Sequence, residues 1–163
     1  MAARKVLETN NWKYKGQEMV NLSQVPENAY GFIYLITNNK TGTLYLGKKC
    51  LYSFHKKISR VPGKGTRTRK QVDIIKTEAD WQRYWGSNVD LKKEIKEYGK
   101  ESYTKEILYF VYSKYQLTYF ETKELFSRGV LEPGSKYIND NILGKFYRRV
   151  FQEEKEDQEQ SDA

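Results

Sequence analysis

Residues for cross-linking or for holding zinc are nearly absent from this chain. Its one cysteine, Cys50, excludes an internal disulfide, and one histidine with one cysteine is too few for a zinc site. No apolar run approaches the length of a membrane span, and the start of the sequence lacks the apolar stretch of a secretory signal. Carboxylates are missing where cations are densest: residues 48–70 contain nine Lys or Arg and no Asp or Glu. These absences set aside a disulfide-stapled secreted domain, a zinc-stabilised module and a helical membrane protein. The expectation they leave is a soluble, cytoplasmic protein. Its 163 residues suffice for one domain with a real core and are tight for two.

The charge that is present is unevenly placed. The net charge is +8, yet the last eleven residues carry six carboxylates and one lysine. The remaining body therefore holds 28 basic and 15 acidic residues, a balance of +13. A body this basic expects a polyanion, most simply nucleic acid. Segment 152–163 reads as an acidic, disordered tail. Within the basic stretch, S-R-V-P-G-K-G-T-R-T-R-K has the Pro and Gly content of a loop, so residues 48–76 are expected to form a basic loop insertion. Its Gly-Lys-Gly-Thr fragment lacks the spacing of a phosphate-binding P-loop. Lys48, Lys49, Lys56, Lys57, Arg60, Lys64, Arg67, Arg69 and Lys70 are the candidates for gripping a phosphate backbone.

Periodicity gives a coarse architecture. Residues 1–29 are polar with scattered anchors at Trp12, Tyr14 and Val20, and read as an N-terminal arm or short preliminary elements. Residues 30–49 read as a β-hairpin: two apolar runs joined by a polar Asn-Asn-Lys-Thr-Gly turn. Along the first run Phe32 and Tyr34 face one way, Ile33 and Leu35 the other. A short helix is expected from the Thr77–Asp80 cap to Trp85, and a second from the Ser87–Asp90 cap to the stop at Gly99. Residues 102–111 alternate as a third strand. Ser113, with Gln116 in the capping-box position, opens a helix reaching about Arg128. An extended piece at Tyr137-Ile138-Asn139 and a basic, helical stretch through Val150 close the body. The fold class is α+β, an α/β sandwich with a small three-stranded mixed sheet flanked by helices.

Two groups of residues carry chemistry. The hairpin presents Tyr34 and Tyr45, a close-approach glycine at Gly47, and Lys48 and Lys49 directly after it. Phenols and cations beside a bare backbone suit a phosphodiester, which offers oxygens to protonate, deprotonate and neutralise. On the helix after Ser113, Leu117, Glu121 and Leu125 are each four apart on one face. A carboxylate in an apolar stripe is costly unless it pairs with a cation or holds a metal. Glu124, rotated away, is the competing candidate.

These residues resemble the signature of the GIY-YIG nucleases. Phe32-Ile33-Tyr34 stands at the first triplet, after Gly31, and Tyr45-Leu46-Gly47 at the second. W-G-S-N-V-D-L-K-K-E-I-K-E-Y-G-K resembles the middle helix of the family. L-T-Y-F-E-T-K-E-L-F places Glu121 at its metal-binding glutamate, and K-Y-I-N-D places Asn139 at its closing asparagine. Similarity covers most of the chain, from about Tyr30 to Asn141, and sets the nuclease-like domain at residues 30–151. The pattern looks like that of compact, stand-alone bacteriophage members. One position departs: where the family has an arginine beyond the second triplet, this chain has His55, whose imidazole suits a phosphate contact or a proton shuttle. Lys48, Lys49, Lys57, Arg60 and Arg67 all remain open as the neutralising cation.

The resemblance implies a DNA endonuclease that uses Mg²⁺ or Mn²⁺ at Glu121 and leaves 5′-phosphate and 3′-hydroxyl ends. Tyr34, with Tyr45, would orient and deprotonate water, a basic side chain would neutralise the phosphate, and Asn139 would brace the site. A homing or phage DNA-processing role follows from the same resemblance. Two other readings compete: a catalytically inactive nucleic-acid-binding module of the same fold, and a small RNA-binding protein.

Overall fold

The computed structural model describes residues 10–151. Segment 1–9 of the expected arm and the acidic segment 152–163 lie outside the described residues.

The hairpin forms as its alternation requires. Strand β3 (Gly31–Asn38) pairs antiparallel with β4 (Leu44–Cys50), with Tyr34 opposite Gly47 and Ile36 opposite Tyr45. The sheet is larger than the three strands expected. Strands β1 (Trp12–Tyr14) and β2 (Gln17–Met19) form a second hairpin. β1 also runs parallel to β7 (Tyr103–Val111), giving the order β2-β1-β7-β3-β4 in a five-stranded mixed sheet. Of the two readings of residues 1–29, short preliminary elements is the one that holds over the described residues 10–29, and the arm is corrected there. Trp12 is completely buried, donates its indole N–H to the Trp81 carbonyl at 2.7 Å, and packs on Phe32 and Tyr34. A three-residue strand can be this well held because its side chains, more than its backbone, secure it.

The sheet has two covered faces, as the alternation of Phe32 and Tyr34 against Ile33 and Leu35 requires. Phe32, Tyr34, Ile36, Trp12, Trp81 and Ile107 fill one face with Leu91 and Ile95 of helix α1 (Val89–Tyr98). Ile33, Leu46 and Val111 fill the other with Leu117 and Leu125 of helix α2 (Lys114–Ser127). Both helices begin as their sequences dictate. Asn88 Oδ1 accepts from the Leu91 amide at 2.9 Å, and Ser113 Oγ from the Gln116 amide at 3.1 Å. α1 ends at Gly99.

Two other expectations change. Residues 48–76 are not a loop. Lys48 and Lys49 belong to β4, and the rest lies in a long antiparallel hairpin of β5 (Tyr52–Pro62) and β6 (Thr68–Glu78) that forms its own two-stranded sheet. The Pro and Gly that signalled a loop mark only its tip. Because β6 runs through Glu78, the helix expected from Thr77 shrinks to a single 3₁₀ turn, Trp81–Arg83. The closing basic stretch is a short hairpin of β8 (Asn141–Ile142) and β9 (Phe146–Tyr147), followed by helical residues from Arg148. Among the described residues no helix is long and apolar enough to cross a membrane.

Candidate active site

β4 is the outer strand of the sheet, and the site is built around its open edge. Successive side chains of the strand point to opposite faces, so one short segment supplies both walls. Tyr45 faces the α1 side. Lys48 faces the α2 side, where its Nζ lies 2.8 Å from Glu121 Oε2 and 3.3 Å from Thr118 Oγ1. A cleft of about 260 Å³ opens between the walls, lined by Tyr45, Lys48, Asn88, Glu121, Asn139 and Asp140, among others.

Asn139 holds the edge itself. Its side-chain amide donates to the Leu46 carbonyl at 2.8 Å and accepts from the Leu46 amide at 3.2 Å, so one side chain occupies the place of a further strand. The preceding residues continue the cover: Ile138 N–H donates to Leu44 O at 2.8 Å, and Leu44 N–H to Lys136 O at 3.0 Å. Arg148 fixes this segment from behind. Its guanidinium donates to the carbonyls of Asn139 at 2.8 Å and Val130 at 2.7 Å, and to that of Tyr137. With both its amide groups used on Leu46, Asn139 positions the strand.

Tyr34 lies beneath the cleft, buried among Trp12, Tyr45 and Tyr84. Gly47 makes room for it: a Cβ there would stand 2.6 Å from Tyr34 Cζ, whereas one on Gly86, whose φ is +82°, would first meet Leu91 and Tyr45, at 3.1 and 3.2 Å. The close-approach role expected of Gly47 thus has a specific cause, the phenol across the hairpin. Against β7 the register shifts between Ile33 and Tyr34, a bulge at the residue that enters the site.

Burial pushes the Tyr34 phenol well above its ordinary pKa, and the neighbouring Tyr45 and Tyr84 add to the shift. Tyr45 is pushed up to about 12, again mainly by burial, with a hydrogen bond to Ser87 acting the other way. Both phenols are therefore neutral in the free protein. They can donate and accept hydrogen bonds, but in the free protein neither is a ready base for the deprotonation of water expected of them.

The other expected residues separate from this group. Lys49 points to the opposite face from Lys48. Its Nζ pairs with Asp80 at 2.9 Å and lies 4.2 Å from the centre of the Tyr84 ring, and the ammonium holds the Asp80 carboxyl below its ordinary range. His55 is exposed on β5 opposite Ile75 and does not line the cleft. Lys56, Lys57, Arg60, Lys64, Arg67, Arg69 and Lys70 all lie on the β5–β6 hairpin or its tip. Glu124 is engaged elsewhere, accepting from Tyr109 at 3.0 Å and pairing with Arg128 at 2.8 Å. That leaves Glu121 as the α2 carboxylate at the cleft.

Four residues of the site were not foreseen. Tyr84 reads as one more aromatic among Trp81 and Trp85. Asn88 was identified only as a helix cap, yet its Nδ2 also donates to Asp140 Oδ2 at 3.0 Å. Asp140 directly follows the marked Asn139, a signal that adjacency could have supplied. Arg148 lay within a basic run whose members look alike in sequence.

A search of family models matches residues 12–142 to one described as "Putative endonuclease segE, GIY-YIG domain". Its span begins at Trp12, where the sheet begins, well before Tyr30. No curated protein and no solved structure gives a significant match. With most of its length covered by this model, and with the hairpin, α2 glutamate and closing asparagine gathered at one strand edge, the chain belongs to the GIY-YIG nuclease family.

Proposed function

We propose that this protein is an endonuclease that hydrolyses DNA phosphodiester bonds with a divalent cation, Mg²⁺ or Mn²⁺, held at Glu121. The observation that carries the reading is convergence: Tyr45, Lys48, Glu121 and Asn139, from three separate parts of the chain, line one cleft. Among the described residues no three His, Cys, Asp or Glu side chains cluster closely enough to form a metal cage. The donor set fits an ion that keeps several waters and takes one or two protein carboxylates, as Mg²⁺ does beside a phosphate. Glu121 would hold it, with Asp140 the other carboxylate among the cleft-lining residues. When bound, the ion polarises the phosphate and stabilises charge on the leaving 3′-oxygen.

The chain's own groups supply the rest. Tyr45, the phenol that reaches the cleft, orients the attacking water by a hydrogen bond, and Tyr34 beneath it keeps that ring in place. Both act as neutral phenols, and the water proton leaves to solvent or to a phosphate oxygen. Lys48 takes the place of the family arginine, neutralising the charge that builds on the phosphate. Lys49 and His55 stand outside this scheme. Products would carry 5′-phosphate and 3′-hydroxyl ends, and by family resemblance the enzyme would serve phage DNA processing or homing.

End chemistry tests the reading. Nicked plasmid made by the protein in Mg²⁺ should be resealed by DNA ligase without prior kinase or phosphatase treatment, and EDTA should abolish nicking. Nicks that ligase cannot seal, or nicking that survives EDTA, would contradict it.

A further inference from the structure

The β5–β6 hairpin has no role in the scheme above, and its surface is unusual. The two strands pair over their full length, from Tyr52 opposite Glu78 to Pro62 opposite Thr68, with Ile58 directly opposite Val72. Alternation therefore sorts the side chains onto two faces. One carries Phe54, Ile58, Val72 and Ile74, which are 46%, 58%, 49% and 68% exposed, interleaved with Lys56, Arg60, Lys70 and Lys76. The opposite face is mostly polar, with Ser53, His55, Lys57, Ser59, Arg69, Gln71, Asp73 and Thr77, and carries only Val61 and the 44% exposed Ile75 as apolar residues. Stacking of Phe54 on Tyr30, with ring centres 5.8 Å apart, roots the ribbon just beyond the strand that carries the site. An apolar stripe this exposed on a free two-stranded ribbon is costly unless something covers it.

Charge identifies the cover. Residues 52–78 hold eight Lys or Arg and two carboxylates, a net +6. A second copy of the ribbon would bring the same charge against itself, whereas a nucleic-acid groove is walled by phosphates and floored by bases. Size agrees. Eleven paired residues extend about 36 Å at ~3.3 Å each, close to one turn of duplex DNA, and the major groove admits a two-stranded ribbon.

We propose that the β5–β6 hairpin lies in the major groove of duplex DNA, its Phe54–Ile58–Val72–Ile74 stripe against base edges and thymine methyl groups, and Lys56, Arg60, Lys70 and Lys76 on the flanking phosphates. The stripe contributes sequence preference and the cations contribute affinity. This rests on the DNA-cleaving reading for its substrate class, and makes that substrate a duplex.

The test separates the two ideas, because binding is measured in EDTA and cleavage in Mg²⁺. Fluorescence anisotropy on a labelled duplex of about three helical turns would compare wild type with Ile58→Thr/Ile74→Thr, which keeps strand-forming residues and removes the apolar stripe. Ser59→Thr/Gln71→Thr on the opposite face is the control. The expected result is affinity weakened roughly ten-fold by the first pair and unchanged by the second. Methyl green, a major-groove ligand, should displace the wild type where distamycin, a minor-groove ligand, does not. Arg60→Gln/Lys70→Gln should flatten the slope of log affinity against log salt by about 2. Equal affinity of the stripe variant and wild type, equal weakening by both pairs, displacement by distamycin alone, or no duplex binding by folded wild type would each overturn the proposal. So would a wild-type dimer that the stripe variant dissolves, since the stripe would then belong to a second copy. Tight groove binding by a protein that cuts nothing would leave the hairpin proposal standing and remove the nuclease reading.

Discussion

Lys48 Nζ and Glu121 Oε2 stand 2.8 Å apart, joining the outer strand of the sheet to α2 on the wall of the cleft. In the proposed scheme the pair would supply in one place a cation for the phosphate and a carboxylate for a metal. It is partly exposed, so its contribution to stability is small, about 0–1 kcal/mol.

Lys48→Met should therefore separate function from stability. Nicking is expected to fall roughly 100-fold, with the thermal midpoint close to wild type. Lys48→Arg should retain most activity, because a guanidinium also serves phosphate. Lys49→Met should matter less, since its partners are Asp80 and Tyr84. Plasmid nicking beside thermal melts checks all three, and a Lys49 effect larger than that of Lys48 would reassign the cation.

Gly47→Ala tests the close approach to Tyr34. The added methyl meets a buried ring that has no space to retreat, so a loss of about 1–3 kcal/mol in urea unfolding is expected. The companion Gly47→Ala/Tyr34→Phe should recover little of that loss, because with the hydroxyl gone the ring carbon Cζ would still stand 2.6 Å from the methyl.

Much of this site was legible in sequence because it depends on alternation and helical spacing. Tyr34 and Tyr45 followed from the strand period, Glu121 from its place between Leu117 and Leu125, and α2 from its Ser113 cap. What was missed depends on pairing between distant segments. β1 is three residues long and acquires its strand identity from β7, ninety residues on, and from burial of Trp12. The β5–β6 ribbon hid because its apolar positions alternate with cations, so net charge and a Pro-Gly tip masked a regular period of two. Asn88 and Arg148 join the site through hydrogen bonds across the fold, for which no local pattern exists, whereas Asp140 needed only its adjacency to Asn139.

Asn139→Ala should act through the strand. Removing the amide leaves both backbone groups of Leu46 without their partner in a buried place, at a cost of about 2 kcal/mol. Activity should fall with stability, and Asn139→Asp should not restore both, because a carboxylate cannot donate to the Leu46 carbonyl. Hydrogen exchange at the Leu46 amide reads the loss directly.

The phenols give the protein an alkaline limit. Tyr45 rises from 10.0 in the unfolded reference to about 12 when folded, so the folded state holds its proton more tightly. Its stabilising contribution is complete below about pH 10 and is lost as pH climbs through about 12. Tyr34 shifts in the same direction. Denaturation midpoints should thus fall steeply between about pH 10 and 12, and Tyr45→Phe should remove part of that slope.

The most direct measurement of the central claim is cleavage of supercoiled plasmid in Mg²⁺ or Mn²⁺ by wild type beside Glu121→Ala. Nicking by the wild type that disappears in the variant and in EDTA, while the variant still folds and binds DNA, is the predicted result. Equal cleavage by the two proteins, or none by a folded wild type on plasmid and branched substrates alike, would contradict it.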